Sequence, residues 1–140
     1  MELVDAIERS THLIAVLLGP ELTELGVGQA EANVLAHLAR RPAMTVGELH
    51  HRFGHKRSTL TNLIDRLERR GLVARTTNPD DRRSIVVVLT PAGEAPARRL
   101  LAAREEIGSA LARELGGGSE DVLAEAARAL ERMVAERSRG

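Results

Sequence analysis

Apolar residues recur at helical spacing along most of this chain, and the pattern breaks only in the middle. Leu3, Ile7, Ile14, Leu17 and Leu18 predict a helix over residues 2–18, which Gly19-Pro20 is expected to end. A second helix follows Gly26-Val27-Gly28 and runs to about Arg40, with Ala30, Val34, Leu35 and Leu38 as its apolar stripe and Pro42 as its stop. Thr45-Val46-Gly47-Glu48 has the form of a capping box, so a short helix should open there and reach about Arg52. Phe53-Gly54-His55 reads as a short turn. The next helix, about Lys56 to Arg70, places Leu60, Leu63, Ile64 and Leu67 on one face, with Gly71 just past its end.

From Leu72 the period changes. Leu72–Thr76 and Ile85–Leu89 read as two strands, joined by the polar turn Asn78-Pro79-Asp80-Asp81-Arg82-Arg83. Thr90-Pro91 then restarts a helix, with Thr90 as N-cap and Pro91 in first position. It runs to about Leu115 through Leu100, Leu101, Ile107 and Leu111, and Pro96 is expected to loosen its second turn. Gly116-Gly117-Gly118 breaks the chain. Ser119 is read as the cap of a last helix carrying Val122, Leu123, Ala126, Leu130, Met133 and Val134, and only Arg137–Gly140 reads as a disordered end.

Composition narrows the function classes. The 140 residues suit one compact domain, and 43% hydrophobic with 29% charged residues is ordinary for a globular protein. There is no cysteine, which excludes disulfides, thiolate metal sites and thiol redox sensing. Phe53 is the only aromatic residue, too few for stacking single-stranded nucleic acid. No apolar run is long enough for a membrane span, and Met1–Ile7 lacks the basic start of a signal peptide, so the expected location is cytoplasmic with no membrane partner. Net charge is zero, yet residues 45–90 hold nine Lys/Arg against five Asp/Glu, a basic middle between acidic flanks. That asymmetry fits a polyanion-binding module set in a neutral scaffold.

Helix, short glycine turn, helix and hairpin in this order form a winged helix-turn-helix. The expected class is therefore mainly α (α+β), with a two-stranded β wing. Residues 28–90 would form the DNA-binding lobe. Residues 1–27 and 91–140 would form a helical dimerisation region within the same compact domain. In such a motif the second helix enters the major groove and its N-terminal residues reach base edges. Here that end offers Lys56, Arg57, Ser58, Thr59, Thr61 and Asn62, with Arg66 flanking and Thr45 at the start of the preceding helix. These side chains supply the hydrogen bonds that bases and phosphates need. Asp65 would repel phosphate, so it is expected to pair with Arg69 or with an arginine of the wing. Arg82 and Arg83 at the hairpin tip suit a minor groove.

The stretch Ser58–Val73, the tip Asn78–Arg83 and the exit Leu89-Thr90-Pro91-Ala92-Gly93 together resemble the MarR family of bacterial regulators, with the likeness running from about Gln29 to Gly93. The resemblance implies a homodimer whose N-terminal helix and last two helices intertwine. It places Arg83 in or near a minor groove, with Asp81 bracing the wing. It also implies a small-molecule effector or signal that resets the spacing of the two reading heads, binding between the DNA-binding lobe and the dimer helices. No cofactor follows from it.

The sequence sustains two other readings. One is a dimeric winged-helix adaptor acting through protein–protein contacts, which would tolerate acids or apolar patches where this chain has Arg57, Ser58, Thr59 and Asn62. The other is a zinc-sensing regulator using His12, His37, His50, His51 and His55, although these histidines form no compact ligand set of familiar spacing. For catalysis there is no phosphate-binding glycine loop, no HExxH and no G-x-S-x-G.

Overall fold

A computed structural model describes residues 2–137 and Arg139. Of the expected disordered end, Ser138 and Gly140 lie outside the described residues, as does Met1. The order of elements is α1 (Leu3–Leu25), α2 (Gln29–Arg40), β1 (Ala43–Thr45), α3 (Val46–Phe53), α4 (Arg57–Arg69), β2 (Val73–Thr77), β3 (Ile85–Leu89), α5 (Pro91–Leu115) and α6 (Ser119–Arg137). The chain divides into two compact units, one ending at Glu105 and one beginning at Glu106.

Core positions follow the apolar stripes. Leu35, Leu38, Leu49, Leu60, Ile64, Leu67 and Val87 are wholly excluded from solvent, and among the described residues no polar or charged side chain is buried. The core therefore joins α2, α3, α4 and the sheet, and the hydrophobic effect fixes α4 with its leucine face inward and its polar face outward.

Local signals set the boundaries. Thr45 Oγ1 accepts from the Glu48 amide at 3.0 Å, while the Thr45 amide donates to Glu48 Oε1 at 3.3 Å, so the capping box forms as read. That network holds the Glu48 carboxyl below its ordinary pKa, chiefly through the Thr45 amide. Past α4, Gly71 takes the left-handed conformation at φ 73°, and the Leu72 amide reaches back to the Leu67 carbonyl at 3.0 Å. At the start of α5 the Thr90 hydroxyl accepts from the Gly93 amide at 3.1 Å, and the helix runs unbroken past Pro96.

Three expectations need correction. Gly19-Pro20 does not end the first helix. It continues to Leu25 and stops at Gly26, φ 65°, because Leu18 is buried and Leu22 and Leu25 pack on the core. Such packing outweighs the roughly 3 kcal/mol a mid-helix proline costs. The two strands of the wing form as read, but their sheet holds a third strand that the sequence did not announce. β1 pairs antiparallel with β3 (Ala43↔Val88, Thr45↔Val86), which also pairs with β2 (Val73↔Leu89, Thr77↔Ile85). Three residues are too few for alternation to show in a sequence. Ser119 is the first residue of α6, and its hydroxyl donates back to the carbonyls of Leu115 and Gly116, both at 3.3 Å, instead of capping the new helix.

Candidate nucleic-acid interface

The outward face of α4 carries the residues expected to read DNA. Lys56 is its N-cap, and Lys56, Arg57, Ser58, Thr59, Thr61 and Asn62 are all exposed along its first turns. Leu60, Leu63 and Ile64 between them are buried, which locks the rotation of the helix and leaves these side chains no alternative direction. Thr45 stands apart: it is half-buried, and its hydroxyl already serves the Glu48 amide. Arg66 is exposed but leans toward α2, its Nε 3.4 Å from Glu31 Oε1.

Asp65 resolves as the second of its two expected pairings. Its carboxylate meets Arg75 Nη2 of β2 at 2.6 Å, and Glu68 meets Nη1 of the same guanidinium at 3.1 Å. The Arg75 amide also donates to Glu68 Oε2 at 3.1 Å. Arg75 was not among the residues expected at the site. It pairs with both acids of α4 and pins the wing to that helix, and its signal was Asp65 itself, an acid on a helix expected to face DNA, which must find a cation nearby.

The wing is the β2–β3 hairpin. Asp81 Oδ1 accepts from the Arg83 amide at 3.0 Å and its carbonyl accepts from the Ser84 amide at 3.0 Å, so Asp81 shapes the turn that displays Arg82 and Arg83. Both arginines are exposed. Where wing and helices meet, a cleft of about 350 Å³ is lined by Val46, Gly47 and His50 of α3, Arg57 of α4, and Arg83, Ser84 and Ile85. The fold thus brings Arg57 and Arg83, 26 positions apart, to one hollow.

A second cleft, about 200 Å³, lies between α2 and α5, lined by Ala36, His37, Arg40, Leu101 and Arg104. Arg104 is half-buried and donates to Asn33 Oδ1. Burial, and then the neighbouring Arg40 charge, lower its pKa. His37 Nδ1 lies 2.9 Å from the Asn33 carbonyl and its Nε2 accepts from Arg52 Nε at 3.1 Å, so the ring is neutral with its proton on Nδ1. Burial is the main cause lowering its pKa, opposed by the Asn33 hydrogen bond and reinforced by Arg52, Arg104 and Arg40. Among the described residues no three His, Asp or Glu side chains converge in a metal-binding group. No helix among them is long and apolar enough to cross a membrane.

Comparison with known proteins accords with this geometry. Residues 25–84 match the model of the MarR family. The chain is 35% identical over 130 residues to the HTH-type transcriptional repressor MdtR of Bacillus subtilis (strain 168), covering 90% of this chain and 82% of that protein. It is 34% identical over 79 residues to the multiple antibiotic resistance protein MarR of Escherichia coli (strain K12), covering 56% and 55%. In fold it resembles the crystal structure of NadR in complex with 4-hydroxyphenylacetate, with a TM-score of 0.80, 21% identity and coverage of 94% and 93%. It also resembles wild-type apo MarR from E. coli, with a TM-score of 0.69, 24% identity and coverage of 93% and 97%.

Proposed function

Because the chain belongs to the MarR family of DNA-binding transcriptional regulators, which are not enzymes, we propose that it is a ligand-responsive repressor acting as a homodimer on a near-palindromic double-stranded operator. The observation that carries this reading is the exposed polar end of α4 beside the wing arginines, with both acids of that helix drawn into pairing with Arg75. Residues 28–90 form the reading lobe. Lys56, Arg57, Ser58, Thr59, Thr61 and Asn62 address the major groove, Arg82 and Arg83 the adjacent minor groove, and Thr45 and Arg66 the flanking phosphates. Such work places the protein in the cytoplasm, with no membrane partner.

Residues 1–27 and 91–140 supply the dimer. Leu3, Val4, Val16 and Leu17 of α1 and Val122, Leu123 and Met133 of α6 are more than half exposed, a load of apolar surface that a second copy of the chain would cover. Two recognition helices about 34 Å apart then require a palindromic site.

The effector seat is the cleft between α2 and α5. Arg104 there is half-buried beside Arg40 with no carboxylate partner among the described residues, so a small carboxylate is the ligand it suits. The structural neighbour NadR holds 4-hydroxyphenylacetate, a molecule of that class.

Two variants test the reading head. Arg83→Ala should weaken binding to every duplex and flatten its salt dependence, while the dimer persists in sedimentation. Asn62→Ala should change sequence preference more than general affinity. If both variants match the parent on operator and random DNA, these roles are wrong.

A further inference from the structure

Resting on the carboxylate seat proposed between α2 and α5, we propose that His37 couples that seat to the recognition helix: an anion in the cleft draws a proton from solvent onto the His37 ring, and the charged ring lets go of the last turn of α3. The ring stands where three helices meet. It lines the cleft together with Arg40, Leu101 and Arg104. Its Nδ1 donates to the Asn33 carbonyl at 2.9 Å, and the Asn33 side chain holds Arg104 through Oδ1. Its Nε2 accepts from Arg52 Nε at 3.1 Å, and its ring meets that of Phe53 edge-on, with 4.8 Å between centroids. Arg52 and Phe53 are the last two residues of α3, and only Gly54 and His55 separate them from Lys56, the N-cap of α4. His37 thus touches both the seat and the turn that aims the recognition helix.

The proton count decides what the ring can do. A neutral imidazole with its proton on Nδ1 accepts at Nε2, whereas an imidazolium carries N–H groups on both nitrogens and accepts nothing. Once charged, Nε2 turns a donor toward the Arg52 donor and a cation toward its cation, so the contact that ties α2 to α3 becomes repulsive. The charges acting on the ring are Arg52 of α3, Arg104 of α5 and Arg40 of its own helix, all positive, and together with partial burial they keep it neutral. Glu105 of α5 pairs with Arg40 at 3.5 Å, both side chains largely exposed, and the His55 ring stacks on Phe53 at 6.3 Å. An anion between Arg104 and Arg40 reverses the balance. It offsets their field at the ring and is itself attracted to charge there. Anion and proton then favour each other's binding. The form with α3 tied to α2 is the one that presents α4 to DNA, so the anion and DNA oppose each other by the same factor in both directions.

The test uses benzoate and phenylacetate as probes. Calorimetric titration at about pH 6, in two buffers of different ionisation heat, should show uptake of about half a proton per bound anion, as a tenfold tighter hold on the proton by one histidine requires. Probe affinity should rise about fivefold from about pH 8 to about pH 5.5. In fluorescence anisotropy at about pH 6, saturating benzoate should weaken the parent's hold on a duplex from upstream of the gene about fivefold, against an equal concentration of sodium chloride. His37→Gln gives Arg52 a permanent acceptor. It should bind both probes with no proton uptake, and its affinity for DNA should not change with benzoate. Probe binding to the parent without proton uptake overturns the relay and leaves the seat intact. Equal release of the parent and His37→Gln from DNA does the same. The uptake measurement uses the parent alone, so it decides whether or not the variant folds. If neither probe binds at any pH, the carboxylate seat falls and the relay with it.

Discussion

Arg75→Ala separates the wing from the recognition helix and exposes the acids of that helix. Arg75 is only 24% exposed, while its partners Asp65 and Glu68 are 43% and 42% exposed. Each contact is thus close to a surface ion pair, worth about 0.2–1 kcal/mol. Together they should contribute about 1 kcal/mol to stability, or roughly 4 °C of melting temperature. The effect on DNA has another origin. Removing the guanidinium takes one positive charge from the face proposed to meet phosphates and leaves both carboxylates there unpaired. The triad changes by one unit of charge, and a unit charge about 8 Å from a phosphate in water costs about 0.5 kcal/mol, roughly two- to threefold in affinity. Circular dichroism melts read the first quantity and anisotropy on DNA the second. The triple variant Arg75→Ala, Asp65→Asn, Glu68→Gln keeps the lost anchor but removes the repulsion, so it should recover most of the affinity while its melting temperature stays low. If Arg75→Ala binds as the parent does, or if the triple variant recovers nothing, then charge masking is not what Arg75 does.

Three further outcomes follow from the geometry. Thr45→Ala removes the hydroxyl arm of the capping box, which accepts from the Glu48 amide, and should cost about 1 kcal/mol in a urea denaturation. Gly93→Ala sets a Cβ 2.8 Å from the Leu72 carbonyl carbon and nearer still to its oxygen, with rigid backbone as the only thing to yield. It should cost about 3 kcal/mol, the upper end for overpacking, and show as a sharply lowered urea midpoint. Acid should weaken the fold through His37. Its pKa is lowered in the folded chain, so the unfolded chain takes up the proton first, from about pH 6.5. The stability is intact above that pH and is lost as pH falls through the folded value, a decline that melts from about pH 7.5 to about pH 5 should show in the parent and show reduced in His37→Gln.

Much of the fold was legible because its signals are local. Leu60, Leu63, Ile64 and Leu67 announce the buried face of α4, Thr45 and Glu48 the start of α3, and Gly71 the end of α4, each within eight residues of sequence. What escaped depends on distant partners. Gly19-Pro20 looked like a stop, but the packing of Leu22 and Leu25 on the core decides otherwise. β1 exists because Val86 and Val88 of β3 hold it, and its own three residues show no alternation. The candidate interface divides in the same way. The polar end of α4 could be read from spacing, and so could the need of Asp65 for a cation. That the cation is Arg75, and that Gly47, Arg57 and Arg83 share one cleft, emerges only when the hairpin folds against the helices. The convergence of His37, Arg40 and Arg104 needs α2 and α5 to pack across more than sixty positions of chain.

The central claim is sequence-specific binding of double-stranded DNA through α4 and the wing. Fluorescence anisotropy of the purified protein tests it most directly, on labelled DNA from upstream of its own gene and on a scrambled duplex, each at several salt concentrations. The account predicts tight binding that favours the upstream duplex and weakens steeply as salt rises. Equal affinity for both duplexes at every salt concentration would contradict it.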